Sequence, residues 1–258
     1  MRRNGASAGS ARPAMRAARI ALAALAFVAG SVAPALAGDR ALLQPIGYSA
    51  DGRYFAFEEF GIQDGSGFAY ANVHVVDLAS DTWVKGSPFK ARASEANPDE
   101  KLASIRATAA NAARATLGDL AIEEPADILA LVGDGVAGDG SSLTFAMQFA
   151  GAVLASDMPE TVLTLSRFNL PGAASCTDLL DQPTKGFALT ITHDGTDEEI
   201  YRDTRLPESR FCPMDYRLYA VMRPMNNSQA GLLAVVSSYP FGFEGPDRRF
   251  LVVPLPAP

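Results

Sequence analysis

The chain has 258 residues, with 22 basic and 29 acidic side chains. Its first 37 residues contain five of the basic residues and none of the acidic ones, so the remainder has a formal net charge of −12. A protein this acidic repels nucleic acid and anionic lipid headgroups, so we expect neither as a partner.

The N-terminus has the pattern of a secretory signal peptide. An arginine-rich start is followed by an apolar run over residues 20–29 and by Ala35-Leu36-Ala37, a small-x-small cleavage site. The apolar run is shorter than the roughly 20 residues that span a bilayer. We therefore predict cleavage after Ala37 and a periplasmic or secreted protein. The mature chain, 38–258, is expected to be a single β-rich domain with no membrane span.

The first part of the mature chain is predicted to form strands joined by turns. After a short apolar segment, Ser49-Ala50-Asp51-Gly52 has the Asp-Gly pair of a tight hairpin turn. An aromatic-rich strand is expected over 53–60, and a second strand over 72–78. The glycine-rich residues 61–67 form the loop between them, and a further short strand over 82–84 follows the second one.

One segment departs from the strand pattern. Asn97-Pro98-Asp99-Glu100 places an N-cap residue, a proline at the first helical position and a glutamate three residues after the cap. Helix-forming residues continue from there, and Gly118 is suited to end the helix. The spacing predicts one inserted α-helix over 98–117. Its thin apolar stripe consists of Leu102, Ile105, Ala109, Ala112 and Thr116.

The rest of the chain again favours strands. Turn residues separate short apolar or aromatic segments, which lie at 127–132, 142–149, 161–168, 187–192, 198–201, 216–222, 232–238 and 250–253. Many short strands at such intervals indicate antiparallel sheets. We therefore expect a mainly β protein, arranged as a sandwich or as a partial propeller, with the one helix inserted.

Two cysteines, Cys176 and Cys212, lie after the predicted cleavage site. In an oxidising compartment such a pair is most simply a disulfide bond. On the chain-entropy argument, a bond closing this loop contributes about 3–4 kcal/mol to stability. Two buried free thiols are the alternative. The two histidines are widely separated, so the sequence predicts no metal site.

Other motifs are better explained by structure than by catalysis. Gly133 to Gly138 spells G-x-G-x-x-G, but a strand-like segment follows where a nucleotide-binding helix is required. We interpret it as a hairpin turn, and we predict no cofactor. His74 is expected to be partly buried and hydrogen-bonded on a strand, and His193 to lie at a turn. Neither has a nucleophile at a recognisable spacing, so we predict no catalytic residue.

The two strand–loop–strand segments near the chain ends resemble each other. The loop over 61–67 and the loop over 239–245 both carry acids and aromatics, and we expect them to lie on one side of the domain. Loops held on a sheet often carry binding residues. The candidate binding surface comprises Glu58, Asp64, Tyr70, Tyr239, Phe241 and Glu244. The structural alternative is that the acids pair with arginines and the aromatics pack in the core.

Two resemblances to known families are visible in the sequence. Residues 49–57 with Val75-Val76-Asp77-Leu78 resemble one blade motif of the TolB-type β-propeller, although Ala50 replaces a proline and no second such unit follows. The longer run from Gly47 to Phe68, with Phe241 to Phe250, is similar to bacterial predicted secreted proteins, the domain of unknown function 2259. This resemblance implies export and a single domain, and it implies no activity.

Two functions remain open at this stage. The first is a non-enzymatic periplasmic module that binds a protein or a cell-envelope ligand. The second is a carboxylate-dependent hydrolase that acts on an envelope polymer, which requires two carboxyl groups facing each other across a cleft at roughly 5–10 Å.

Overall fold

The computed structural model describes residues 38–133, 138–146, 160–226 and 230–256. The strands in these ranges are β1 (Leu42–Ser49), β2 (Tyr54–Ile62), β3 (Ala69–Asp77), β4 (Thr82–Trp83), β5 (Phe89–Arg92), β6 (Ile122–Glu124), β7 (Ala126–Leu131) and β8 (Ser142–Ala146). The later strands are β9 (Glu160–Asn169), β10 (Lys185–His193), β11 (Thr196–Arg202), β12 (Pro213–Pro224), β13 (Leu233–Pro240) and β14 (Arg249–Pro254). The helices are α1 (Leu102–Asp119) and α2 (Ala174–Leu179).

These strands form three antiparallel sheets. The first sheet has the order β4-β3-β2-β1-β6, and β5 also pairs with β3. The second sheet has the order β11-β10-β9-β8, and the third has the order β14-β13-β12-β7. The prediction of a mainly β protein made of antiparallel sheets with an inserted helix is therefore confirmed.

The third sheet lies between the other two, and its strand β13 is covered on both faces. Along β13, Leu233 and Val235 pack against the first sheet, while Ala234 and Val236 pack against the second. Successive side chains of a strand point to opposite faces, so a strand covered on both sides needs a continuous apolar run. Every residue of β13 is buried. The face-to-face stack is a sandwich arrangement of three layers.

Helix α1 covers the face of the first sheet that points away from the third. Its buried residues are Ile105, Ala109 and Ala113, which lie one above another at four-residue spacing. They contact small residues of β3, including Ala71 and Val73. Alanine at the contact positions lets the helix approach the sheet closely, so this face of the sheet is tightly covered.

The helix differs from the prediction at both ends. It begins at Leu102 rather than at residue 98, because the chain is still turning there: the Asn97 N–H donates to the Ser94 carbonyl at 2.9 Å. Asn, Pro and Asp are also common in turns, so these residues are compatible with a turn as well as with the start of a helix. Gly118 lies inside the helix. Among the predicted stripe residues Ala112 is exposed, and Ala113 takes its place in the core.

Several further details correct the sequence interpretation. The segment after Gly133 does not join a hairpin, because β7 pairs with β12 whereas β8 pairs with β9. Residues 134–137 of that motif, and the predicted strand end at 147–149, lie outside the described residues. The short elements β5, β6 and α2 were not predicted. In the part of the chain that the structure describes, no helix is long and apolar enough to cross a membrane.

The turn between β1 and β2 forms as predicted. The Gly52 N–H donates to the Ser49 carbonyl at 2.9 Å, and Gly52 has a φ of +71°. A Cβ atom at this position would lie 2.6 Å from the Ala230 carbonyl oxygen, so glycine is required for both backbone conformation and space. The turn sets the register in which Tyr48 faces Phe55 in the core.

Candidate functional site

The six candidate residues from the sequence fall into buried and exposed groups. Glu58, Tyr70 and Tyr239 are buried, whereas Phe241 and Glu244 are exposed and Asp64 is half-buried. A buried side chain offers little surface to a ligand. The role of the exposed members in binding stays a prediction.

The three buried candidates each have structural contacts. Glu58 lies under α1 and accepts hydrogen bonds from Arg106, the shortest at 2.6 Å. Tyr239 lies beneath the guanidinium of Arg217, which is 5.3 Å from the ring centre. Tyr70 donates its hydroxyl proton to Asp39 at 2.8 Å. For these three residues the contacts are those of the structural alternative, in which the acids pair with arginines and the aromatic rings are packed inside the protein.

The two hairpins that resemble each other in sequence meet at Arg249. Its guanidinium forms ion pairs with Asp39 at 2.6 Å, Asp247 at 3.4 Å and Glu59 at 3.8 Å. It also donates to the Tyr70 hydroxyl at 3.3 Å. Three carboxylates therefore surround one cation, at the point where β2–β3 and β13–β14 come together.

Burial decides the electrostatics of this cluster. The Glu59 carboxylate is 3 % exposed, and burial raises its pKa, an effect that Arg249 and the Phe250 N–H oppose. Burial likewise raises the pKa of Asp247. Desolvation disfavours the charged form of an acid, while a nearby cation favours it. Because the carboxylates are held by Arg249 and backbone groups, the cluster is a structural junction between the first and third sheets.

Next to this junction, a groove opens on the same face of the first sheet. We call its wider part the outer cavity. It has a volume of about 380 Å³ and is lined by Gln63, Tyr70, Asn72, Lys90, Ala91, Arg92, Phe211 and Arg249. The inner cavity, of about 190 Å³, shares four of these residues and extends to Glu59, His74 and Trp83.

Strand pairing explains why these side chains converge. In β5, Lys90 lies opposite Asn72 and Arg92 lies opposite Tyr70. Residues directly opposite each other in an antiparallel pair project from the same face. The alternate residues Phe89 and Ala91 pack toward α1 instead. The short strand β5 therefore sends its apolar side chains to the helix and its two cations into the groove.

His74 lies at the inner end of the groove. Its ring stacks on Phe57 at 4.7 Å between ring centres, and it meets the edge of Trp83 at 5.6 Å. The side chain is buried, and in the described residues neither ring nitrogen has a hydrogen-bond partner. Burial, with a contribution from the Lys90 charge, lowers the pKa of His74 to about 4. The prediction of a hydrogen-bonded His74 is therefore wrong, and the prediction of its burial is confirmed.

His193 lies where the sequence placed it. It ends β10, and Asp194 and Gly195, both with positive φ, form the turn to β11. Its Nδ1 is 3.2 Å from the Thr161 hydroxyl. The two histidines lie in different sheets, and neither is hydrogen-bonded to a cysteine or a serine in the part of the chain that the structure describes.

The opposite wall of the groove is formed by Phe211. Its side chain is 66 % exposed, and its backbone has a φ of +57°, which is unfavourable for a bulky residue. Conformations of this kind cost roughly 1–3 kcal/mol and concentrate at binding and catalytic sites. The chain therefore presents an exposed aromatic ring at a position where the backbone is strained.

The residues on either side of Phe211 hold it in this conformation. Arg210 donates to both carboxylate oxygens of Asp203 at 2.7 Å and to the Tyr201 hydroxyl at 2.7 Å. Cys212 forms the predicted disulfide bond with Cys176. Two rigid anchors thus fix the position of Phe211, one a buried ion pair and the other a covalent bond.

Most residues of the groove were not predicted from the sequence. Lys90, Arg92, Trp83 and Phe211 were not singled out, and His74 was expected only as a partly buried, hydrogen-bonded residue of a strand. A signal for two of them was present in Phe89-Lys90-Ala91-Arg92, where apolar and basic residues alternate as on a half-buried strand. In a chain this acidic, a strand face with two cations indicates a binding surface for an anion.

The donor atoms of the groove suit hydrogen bonding and ion pairing. Within the described ranges, no three His, Cys, Asp or Glu side chains are grouped so that they could hold a metal ion. Glu59 is the one carboxylate among the described residues that line the two cavities, and it is committed to Arg249 and to the Phe250 N–H. The arrangement can bind a polar ligand with an apolar or ring-shaped part.

The fold and this groove define a β-rich protein of three stacked sheets, with one helix covering an outer face. Residues 56–255 match the family described as predicted secreted protein, DUF2259, and the chain belongs to that family. The match covers most of the chain, including every residue named as lining the groove. Comparisons with curated proteins and with solved structures gave no match.

Proposed function

We propose that this protein is an exported, non-enzymatic binding module of the bacterial cell envelope, and that its ligand binds in the groove between β5 and Phe211. The observation that carries the proposal is Phe211, an exposed aromatic ring on a strained backbone. The outer cavity, at about 380 Å³, is within the size range of small-ligand sites.

Three observations support an extracytoplasmic location. The N-terminal sequence has the three regions of a signal peptide. The family to which the chain belongs is described as one of predicted secreted proteins. The disulfide bond between Cys176 and Cys212 suits an oxidising compartment such as the periplasm. N-terminal sequencing of the protein from its native host is expected to begin at Gly38, and recovery of the intact leader would contradict this.

The geometry favours binding over hydrolysis. A carboxylate-dependent hydrolase needs two carboxyl groups that face each other across an accessible cleft. Asp39 and Glu59 are both nearly fully buried, and Arg249 holds each of them. Neither is placed to protonate a leaving group or to activate water on a substrate in the groove.

The single tryptophan provides a direct test of ligand binding. Trp83 lines the inner cavity, so its fluorescence reports on occupancy of the groove. We would titrate the mature protein with soluble peptidoglycan fragments, lipopolysaccharide core oligosaccharide, glucose, glucuronate and glucose 6-phosphate. A saturable change with at least one of these compounds is expected, and it should be lost in Phe211→Ala.

The control is Phe243→Ala, which removes an exposed phenylalanine that does not line either cavity. This variant should bind as the wild type does. The proposal fails if none of the compounds gives a saturable response. It also fails if the Phe211→Ala protein, folded as judged by circular dichroism, responds with unchanged affinity.

A further inference from the structure

The lining of the outer cavity differs in charge from the protein as a whole. The mature chain is strongly acidic, yet the described residues that line this cavity include three cations and no carboxylate. The cations are Lys90, Arg92 and Arg249. A concave surface lined by one sign of charge attracts ligands of the opposite sign.

The three cations are not equivalent. Arg249 is held by three carboxylates, those of Asp39, Asp247 and Glu59, so its charge is more than matched within the protein. Lys90 and Arg92, in contrast, form no ion pair with any residue that the structure describes, although other exposed arginines such as Arg53 and Arg202 do. The unbalanced positive charge of the cavity therefore comes from β5.

The surrounding groups suit an anion that is attached to a larger body. The amide NH₂ of Gln63 is available as a hydrogen-bond donor beside the two cations, and Asn72, which donates one N–H to Glu59 at 3.4 Å, has a second N–H to offer. Phe211 forms the facing wall, where its ring can pack against an apolar or sugar-like part of the ligand. The arrangement thus combines two charged donors, two amides and one aromatic face in one cavity.

Resting on the binding function proposed above, we infer that the outer cavity is a subsite for an anionic oxygen group of the ligand, a carboxylate or a phosphate, held between Lys90 and Arg92. Arg can donate two parallel N–H bonds to two oxygens of such a group, whereas Lys supplies a point charge. The buried, unpartnered His74 at the inner end of the groove marks where the remainder of the ligand finds a further polar contact.

The test compares glucose, glucuronate and glucose 6-phosphate, together with inorganic phosphate and acetate, at constant ionic strength. Binding is followed by Trp83 fluorescence and by the melting temperature. The wild type should bind the charged sugars at least about tenfold more tightly than glucose, since charge-assisted hydrogen bonds are the stronger ones. Comparison of the phosphate and carboxylate compounds tells which anion the subsite prefers.

Two double variants separate the subsite from general charge effects. Lys90→Gln/Arg92→Gln should lose the preference for charged over neutral sugar, and Lys90→Arg/Arg92→Lys should retain most of it. The matched control is Lys85→Gln/Lys101→Gln, which makes the same change in net charge at exposed positions outside both cavities. This control should behave as the wild type.

The outcomes distinguish this inference from the proposed function. If envelope fragments or glucose bind in a Phe211-dependent manner but the Lys90→Gln/Arg92→Gln protein binds anions unchanged, the anionic subsite is refuted and the binding function stands. A wild type that binds neutral and charged sugars equally would refute the subsite too. If no compound binds the wild type, both proposals fail.

Discussion

The two faces of the first sheet use charge in different ways. On the face under α1, Glu58 and Arg106 meet at 2.6 Å, and the apolar contacts around them are small and closely packed. On the opposite face, Lys90 and Arg92 lie at the edge of a cavity and have no ion-pair partner within the described ranges. Both faces belong to the same strands, so the contrast is not one of secondary structure.

The difference shows what covering a sheet does to its polar residues. Where the chain covers a charge with its own helix, desolvation makes a partner necessary. Where the chain leaves the sheet partly open, a charge can remain solvated and available. The groove face is therefore the one on which an external ligand can supply the missing partner.

The largest effect is expected for Tyr70, which forms the floor of the groove. We predict that Tyr70→Ala lowers the free energy of unfolding by about 3–5 kcal/mol, the cost of deleting a core aromatic. Its ring is buried, and the lack of a side chain at Gly61, directly opposite, makes room for it. Urea unfolding measures the change.

The exposed Phe241 is the matched control for Tyr70. Its replacement by alanine should cost less than about 1 kcal/mol, as for a surface position. Similar costs for the two variants would mean that the groove floor is not part of the packed core. The groove would then not rest on a packed core, and the two faces of the sheet could not be compared as proposed.

The second largest effect on stability is expected for the disulfide bond. Cys176→Ser/Cys212→Ser should lower the free energy of unfolding by about 3–4 kcal/mol, because the bond closes a loop with a sequence separation of 36. In hydrogen exchange, loss of the bond should reduce protection around Phe211 and leave α1 unchanged. Equal loss of protection in α1 would show that the wall of the groove and the helix face are not independent.

Local features of this fold were predictable from the sequence. Strands such as β2 and β13 carry aromatic or β-branched runs bounded by turn residues. The presence of two cysteines in an exported chain predicted the disulfide bond. The order of the sheets was not predictable, since it depends on contacts between distant segments. Asp39 and Arg249, for example, are 210 residues apart and bind at 2.6 Å.

The groove could not be predicted for the same reason, because it depends on contacts between separate segments of the chain. Its walls come from β5, from the segment around Phe211 and from the start of β14, and no local pattern links these three. The strained conformation of Phe211 is held by Arg210, which pairs with the nearby Asp203, and by Cys212, whose partner Cys176 is 36 residues earlier in the chain. Strand β5 has four residues, which are too few for the alternation of apolar and basic residues to identify it as a strand.

The next effect is a pH dependence of the free energy of unfolding that is caused by His74. Its pKa is lowered from the usual 6.5 to about 4 in the folded protein, so between these values the unfolded chain binds the proton more readily. Stability should therefore fall as the pH drops from about 6.5 to about 4. At pH 4.5 we expect this group to account for about 2–3 kcal/mol.

Other groups titrate in the same range, so His74→Phe is measured beside the wild type. Urea unfolding at pH 7 and pH 4.5 should show a loss about 2–3 kcal/mol smaller in the variant, which keeps a ring against Phe57 but cannot bind a proton. Identical pH dependence in the two proteins would mean that the pKa of His74 is not lowered by burial in the folded protein.

A smaller effect is expected on the helix face. Glu58→Gln keeps the shape of the side chain but removes the charge that Arg106 contacts through Nε and Nη2. Because Arg106 remains partly exposed, we expect a loss of about 1–2 kcal/mol in the free energy of unfolding. A neutral result would show that the pair under α1 is as weak as an ordinary surface ion pair.

The smallest effect on stability is expected for the two cations of the groove face. Lys90→Gln/Arg92→Gln should change the free energy of unfolding by less than about 0.5 kcal/mol, because these side chains form no ion pair that the structure records and remain in contact with water. Urea unfolding at low and moderate salt would measure it. A charge that adds nothing to stability yet faces a cavity is free to act on a ligand. If the double variant instead loses as much stability as Glu58→Gln, the two cations serve to hold the acidic junction around Arg249, and the contrast between the two faces disappears.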